Sequence, residues 1–312
     1  MAPSVLVLGA GGVGGYFGAR LIEGGVDATF LVRGKRRQQL DANGITIHSD
    51  YFDDAKVDKV QTVSAGEIDR AYDFIILTCK AYHLAEAMED LAPAVGDNTT
   101  FIPLLNGMKQ IDILQDRFGS DKVLGGTTYI GARVDAETGD IVHFGDFHRI
   151  AYGEMDGTMS DRVKAFGALN DVVKFDVDPR DDIEVTMWDK FAMLCAMSSV
   201  NTLARATVGE ILDTPSGKDF LFSALAECRD TAEALGHPVS QKTIETYERM
   251  FTTQGSKFAS SMLRDVQANR PTEGAHIIGD MVDRAQAAGL HTPILLAARA
   301  GLAVHDHRVA AG

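Results

Sequence analysis

A lysine set in an almost wholly apolar helical segment is the first chemically suggestive feature of the sequence. Lys190 lies in Trp188-Asp189-Lys190-Phe191-Ala192-Met193-Leu194-Cys195-Ala196-Met197. Helical geometry puts Met197 and Asn201 on its face, with Leu194 and Ser198 beside it. Its ammonium either snorkels to water, the commoner case for a lysine, or lines a cleft. In a cleft, lost hydration lowers its pKa, and a lysine near neutrality is a competent general acid. A carbonyl accepting a hydride needs such a donor at its oxygen and something to anchor the rest of the molecule.

The source of a hydride is suggested at the other end of the chain. Gly9-Ala10-Gly11-Gly12-Val13-Gly14 follows the apolar run Ser4 to Leu8 and opens a helical pattern over Val13 to Glu23. Glycine-rich turns are common, but this strand–turn–helix setting is that of a dinucleotide site. Gly9 permits the tight turn, Gly11 lets the backbone approach a pyrophosphate, and Gly14 allows close helix–strand packing. Gly12 and Val13 begin the helix, whose free N–H groups face the phosphates. The second strand, Ala28 to Val32, ends at Arg33, followed by Lys35, Arg36 and Arg37. An acidic residue there would hold a ribose 2′-hydroxyl, whereas a guanidinium holds a 2′-phosphate. The cofactor expected is NADP(H), with Arg33 the principal determinant; the bland reading is a solvated basic helix start.

These residues need elements to position them. Tyr72 to Thr78 and Thr99 to Leu104 are further apolar strand-length runs, each followed by a helical segment, which implies a parallel sheet covered on both faces. Gly44 to Val63 and Val123 to Tyr152 read as antiparallel hairpin material, with turns at Gly139-Asp140 and Gly145-Asp146. Beyond Pro179 helical windows dominate, at about 182–204, 216–235, 240–252, 258–268, 274–288 and 293–304, with breaks at Gly and Pro. The expected fold is α/β: an N-terminal Rossmann-type dinucleotide-binding domain, residues 1–178, followed by an all-α domain, residues 179–312, for substrate binding and dimerisation.

Composition narrows the function classes. The 312 residues are 45% apolar and 24% charged, with a net charge of −14, which argues against nucleic acid or an anionic membrane as the main partner. No apolar run is long enough to span a membrane, and no secretory signal is seen. Cys79, Cys195 and Cys228 show no paired spacing, fit a reducing cytoplasm, and read as small buried side chains. The nine histidines form no metal pattern, so no metal is expected; His143 and His148 flank a supposed turn and read as surface residues. Apolar helix faces such as Phe220 to Leu225 suit either a homodimer or the core.

Several segments in order resemble the ketopantoate reductase (2-dehydropantoate 2-reductase) family. They are the glycine fingerprint, Thr78-Cys79-Lys80-Ala81, Asn106-Gly107-Met108, Trp188-Asp189-Lys190, Gly209-Glu210-Ile211, Ser260 to Asp265, and Arg270-Pro271-Thr272-Glu273. The resemblance implies NADPH-dependent reduction of a small 2-keto acid to a 2-hydroxy acid, by default 2-dehydropantoate to pantoate in pantothenate biosynthesis. It implies that Lys190 is the proton donor and that Glu273 contacts substrate or holds the catalytic geometry. Asn106 would sit near nicotinamide and substrate, Lys80 near the cofactor, and Ser261 on the substrate's polar end. Ser198 and Asn201 complete the implied substrate contacts, in a cleft between the two domains.

The sequence departs from the family where asparagines usually stand four and eight residues after the lysine. Here those positions hold Leu194 and Ser198, and Ala275 and Ile278-Gly279 replace polar residues after Glu273. A site with fewer hydrogen-bonding groups favours a less polar substrate. The alternatives are therefore a reductase of a less polar 2-keto acid, a β-hydroxyacid-type dehydrogenase, and a non-catalytic NADP sensor.

Overall fold

Strands β1 (Ser4–Leu8), β2 (Asp27–Leu31), β5 (Gln61–Val63), β6 (Phe74–Leu77) and β7 (Thr100–Pro103) form a parallel sheet in the order β5-β2-β1-β6-β7 in the computed structural model, which describes residues 3–311. Val5, Leu6, Val7, Ile75, Ile76, Phe101 and Ile102 are fully buried, as continuous apolar strands covered on both faces must be. Helices α1 (Gly12–Glu23), α2 (Gly34–Asn43), α3 (Leu84–Leu91) and α4 (Lys109–Phe118) follow β1, β2, β6 and β7. The strand order reverses at β1, so the loops leaving β1 and β6 diverge and open a crevice at their carboxyl ends.

A second sheet runs β10-β9-β3-β4, with β8 paired to β9. It comprises β3 (Ile45–Ser49), β4 (Ala55–Val57), β8 (Gly125–Val134), β9 (Ile141–Gly153) and β10 (Asp176–Pro179); α5 (Asp161–Gly167) lies between β9 and β10 in sequence. The expected hairpins form between β3 and β4 and between β8 and β9. Three local expectations are corrected. Gln61–Val63 is no hairpin arm; it pairs in parallel with β2. Gly145 makes no turn; its φ of +91° lies within β9, where the register with β8 slips between Ile130 and Gly131, a bulge. His143 and His148 are buried, not on the surface. The Tyr16 hydroxyl is 2.6 Å from His148 Nδ1, Ser49 Oγ is 2.8 Å from His143 Nδ1, and Phe52 stacks on His148. Burial pushes both imidazoles below their ordinary pKa, which suits neutral core groups.

The helical region consists of α6 (Ile183–Ala204), α7 (Val208–Leu212), α8 (Gly217–Ala234), α9 (Gln241–Met250), α10 (Ser261–Gln267), α11 (Gly274–Ala287) and α12 (Pro293–Ala311). Helix α7 falls between the expected windows; Thr207 and Glu210 form the capping box that starts it. Helix α10 begins later than expected because Ser260 Oγ accepts from the Leu263 N–H and caps it. Cys195 and Cys228 are buried, but Cys79 is only partly so. The chain divides into two compact units, Met1–Leu105 with Gln110–Glu184, and Asn106–Lys109 with Val185–Gly312. Among the described residues no helix is long and apolar enough to cross a membrane.

Candidate active site

The crevice of the first unit is a cavity of about 650 Å³ lined by Gly9, Ala10 and Gly11 from the β1–α1 turn, Arg33 and Arg36 after β2, and Thr78, Cys79 and Lys80 after β6. Gly9 has a φ of +91°, a conformation that glycine adopts without strain. A Cβ on Gly14 would stand 2.2 Å from both the Gly9 carbonyl and Thr78 Oγ1, and one on Gly12 would stand 2.4 Å from the Ala132 carbonyl. These glycines are required by the protein's own packing. Gly11 differs: a Cβ there meets nothing within 4 Å. The protein's own packing therefore does not require glycine there, and the space beside it lies at the start of α1, where a helix N-terminus can receive an anion. Val13, in the first turn of α1, packs against the core. Thr78 Oγ1 donates to the Leu8 carbonyl at 2.8 Å, tying the end of β6 to the glycine turn.

The basic cluster after β2 is used unevenly. Arg33 is exposed, and its guanidinium grips both carboxylate oxygens of Glu86 on α3, with Nη2 to Oε2 at 2.8 Å. Arg37 is paired with Glu67 and Asp41. Arg36 is held by backbone: Nε donates to the Ala10 carbonyl at 2.8 Å and Nη1 to the Gly139 carbonyl at 2.6 Å. It therefore braces the glycine turn against the tip of the β8–β9 hairpin. Sequence reasoning named Thr78 and Arg36 only as members of their segments and missed Glu86 as part of this cavity. The partners of Arg36 and Glu86 are distant in sequence, and no local pattern announces them.

In the second unit, Lys190 is half-buried on α6, and burial pulls its ammonium down to a pKa of about 8. The neighbouring Asp189 fixes this stretch of helix. Its carboxylate accepts from Ser240 N–H, Ser240 Oγ and Thr243 Oγ1 at 2.7–2.9 Å, and its carbonyl accepts from Tyr247 Oη. One turn and two turns on, Leu194 is half-buried and Ser198 fully buried, with its hydroxyl lacking a hydrogen-bond partner.

Glu273 is buried at the N-terminus of α11. Its turn is anchored by Asp306, which accepts from the Thr272 N–H and Oγ1, both at 2.8 Å. Burial pushes the nearby His276 imidazole below its ordinary pKa; the Glu273 carboxylate opposes this and the Lys109 ammonium adds to it. Glu273, His276 and Lys109 thus share one electrostatic neighbourhood, with Lys109 in the Asn106–Lys109 segment that groups with the helical unit. Gly107 there has a φ of +100°. Asn106, a candidate for both cofactor and substrate, accordingly groups with the helical unit, while Gly9, Gly11, Arg33 and Lys80 line the cavity of the first unit. Ser261, at the first position of α10, is partly exposed.

Asn201, a candidate substrate contact, is tied to backbone at both ends of its amide. It is fully buried, Nδ2 donates to the Ala206 carbonyl at 2.8 Å, and Oδ1 accepts from the Ser260 N–H at 3.0 Å. Both ends of its amide are committed to backbone. Asn201→Ala is expected to cost about 2–4 kcal/mol, because two buried backbone groups lose their partner. Urea denaturation checks this: a lowered midpoint with a KM changed less than about threefold marks a brace. Unchanged stability with a KM raised more than tenfold, about 1.4 kcal/mol, marks a substrate contact.

The comparisons with known proteins agree along the chain. The family description "Ketopantoate reductase PanE/ApbA" matches residues 5–157, and "Ketopantoate reductase PanE/ApbA C terminal" matches residues 182–301. An uncharacterised oxidoreductase of Bacillus subtilis (strain 168), YkpB, is 34% identical over 301 residues, 96% of this chain and 98% of that one. The crystal structure of 2-dehydropantoate 2-reductase from Methylococcus capsulatus matches with a TM-score of 0.85 and 25% identity, covering 98% of this chain and 97% of that one. A ternary structure of D-mandelate dehydrogenase with NADH and anilino(oxo)acetate shares the fold, with a TM-score of 0.86 at 19% identity over 98% of this chain and 99% of that one. The chain belongs to the ketopantoate reductase PanE/ApbA family of nicotinamide-dependent oxidoreductases.

Proposed function

We propose that the protein reduces a 2-keto acid to a 2-hydroxy acid with NADPH, and that its substrate is less polar than 2-dehydropantoate. The observation that carries the reaction is the placement of Lys190, part-buried on α6 beside the firmly anchored Asp189; burial lowers its ammonium's pKa to about 8, matched to proton donation near neutrality. A nicotinamide cofactor supplies the hydride when bound. Gly9, Gly11 and the N–H groups of the first turn of α1 hold its pyrophosphate, Arg33 takes the adenosine 2′-phosphate, and Lys80 contributes cationic charge to the same cavity. Lys190 delivers a proton to the ketone oxygen. Glu273, with Asn106 and Ser261, orients the keto acid. Ser198 offers a buried hydroxyl whose hydrogen bond is unmade, while Asn201 supports the site from behind.

Leu194 supports the narrower reading of substrate. A leucine in the turn after the lysine cannot pair with a substrate hydroxyl, and a buried substrate hydroxyl without a partner costs affinity. The D-mandelate dehydrogenase named above carries the same fold, which fits a family scaffold able to serve more than one 2-hydroxy acid. NADPH oxidation across a panel of 2-keto acids tests this, with NADH as control. Branched aliphatic or aromatic 2-keto acids are expected to exceed 2-dehydropantoate in kcat/KM by about tenfold or more, the scale of one unpaired polar group. A clear preference for 2-dehydropantoate overturns the substrate reading and leaves the reaction class intact. No oxidation with any 2-keto acid overturns both.

A further inference from the structure

The cavity that takes the cofactor's adenosine end contains acid as well as base. Glu86 and Asp90 lie four residues apart on α3, on one helix face, and both line the cavity with Arg33. Glu86 is bidentate to Arg33, and the Asp90 carboxylate stands 4.0 Å from Arg33 Nη1. The other cation after β2 that lines the cavity, Arg36, spends Nε and Nη1 on the Ala10 and Gly139 carbonyls, and its buried Nη2 has no partner. His83 is 3.9 Å from the same Glu86 carboxylate.

We infer that Glu86, seconded by Asp90, weakens the preference for NADPH over NADH by occupying the guanidinium that a 2′-phosphate needs. The inference rests on the reading of this cavity as the dinucleotide site. A 2′-phosphate is dianionic and has to displace Glu86 from Arg33, then remain beside two carboxylates. A ribose 2′-hydroxyl is neutral and leaves the Arg33–Glu86 pair closed. The pair is exposed, with about half of each side chain accessible, so the competition is worth only a modest factor and is screened by salt. The selectivity for NADPH is therefore weaker than Arg33 alone implies, and Glu86 is the residue that weakens it.

The test is isothermal titration of the full-length protein with NADPH and with NADH, in the wild type, Glu86→Gln, Arg33→Gln and the double variant. Glutamine keeps the size of Glu86 and removes its charge. The expected result is an NADPH Kd lowered by about three- to tenfold in Glu86→Gln, with the NADH Kd moved less than about twofold. That gain disappears when Arg33 is also glutamine. Asp90→Asn shifts the NADPH Kd in the same direction by less. An unchanged NADPH-to-NADH ratio in Glu86→Gln overturns the inference, as does an equal gain in the Arg33→Gln background. A wild type that binds neither cofactor overturns the reading of the cavity itself.

Discussion

Lys190→Ala is expected to lower the rate of keto acid reduction by about two to four orders of magnitude, the usual cost of losing a positioned general acid. NADPH affinity is expected to stay within about threefold of the wild type, well inside the tenfold that corresponds to 1.4 kcal/mol, because the cofactor cavity is built from β1, α1, β2 and the segment after β6. Lys190→Arg keeps the positive charge but not the chemistry, since a guanidinium does not release its proton in the working range. It is expected to be nearly as inactive as the alanine variant, which separates proton donation from charge alone. The wild-type pH profile supplies a second readout. With its pKa lowered to about 8, the ammonium is fully present below that value and is lost above it. Reduction is therefore expected to be level on the acid side and to fall about tenfold per pH unit above pH 8. The reverse oxidation, which needs the free amine, rises over the same range. Single-turnover mixing of enzyme, NADPH and keto acid measures all of this. More than a tenth of wild-type activity in Lys190→Ala would remove Lys190 from the reaction, and a non-catalytic NADP sensor would show no turnover to lose.

The features legible in the sequence are those written by neighbours in the chain. The glycine turn, the helix it opens and the alternation of apolar strands with helices depend on spacings of a few residues, and they give four of the five strands of the parallel sheet directly. The long apolar helix α6 and its lysine are equally local. What escaped reading depends on partners far along the chain. His143 and His148 carry polar side chains in a hairpin, and only the packing of Tyr16, Ser49 and Phe52 against them makes them core residues. Arg33 and Arg36 are indistinguishable as basic residues after β2. Their roles are separated by Glu86, 53 residues from Arg33, and by Gly139, 103 residues from Arg36. Asn201 has the right type and face for a substrate ligand, yet its amide is consumed by Ala206 and by Ser260, 59 residues away. The candidate site was thus readable as a set of residue types, while the division between residues that face a ligand and residues that support them required the tertiary contacts.

That division is sharpest within the glycine turn itself, where Gly11→Ala and Gly14→Ala are expected to fail in different ways. A methyl at Gly14 is forced to within 2.2 Å of the Gly9 carbonyl and Thr78 Oγ1. The start of α1 must then move away from β1 and β6, at a cost of about 1–3 kcal/mol or more for overpacking a rigid backbone contact. Its thermal midpoint should drop, and cofactor binding should fall with it. At Gly11 the backbone is ordinary, with φ −73°, and a methyl meets no protein atom within 4 Å. The folded state of Gly11→Ala is therefore expected to lose only about 1 kcal/mol, the poorer N-cap of alanine, and to melt a few degrees below the wild type. In the proposed cofactor site the same methyl would stand where the pyrophosphate approaches the N–H groups of α1. NADPH and NADH affinities are both expected to fall by about ten- to a hundredfold, the effect of about 1.4–2.7 kcal/mol of misfit. Equal loss for the two cofactors follows from their common pyrophosphate, in contrast to substitutions at Arg33 or Glu86, which act on the 2′ position alone. Thermal denaturation and calorimetric titration of the two variants side by side check the argument. If Gly11→Ala binds NADPH as tightly as the wild type, the pyrophosphate does not cross this turn, and the glycine there has no ligand to explain it.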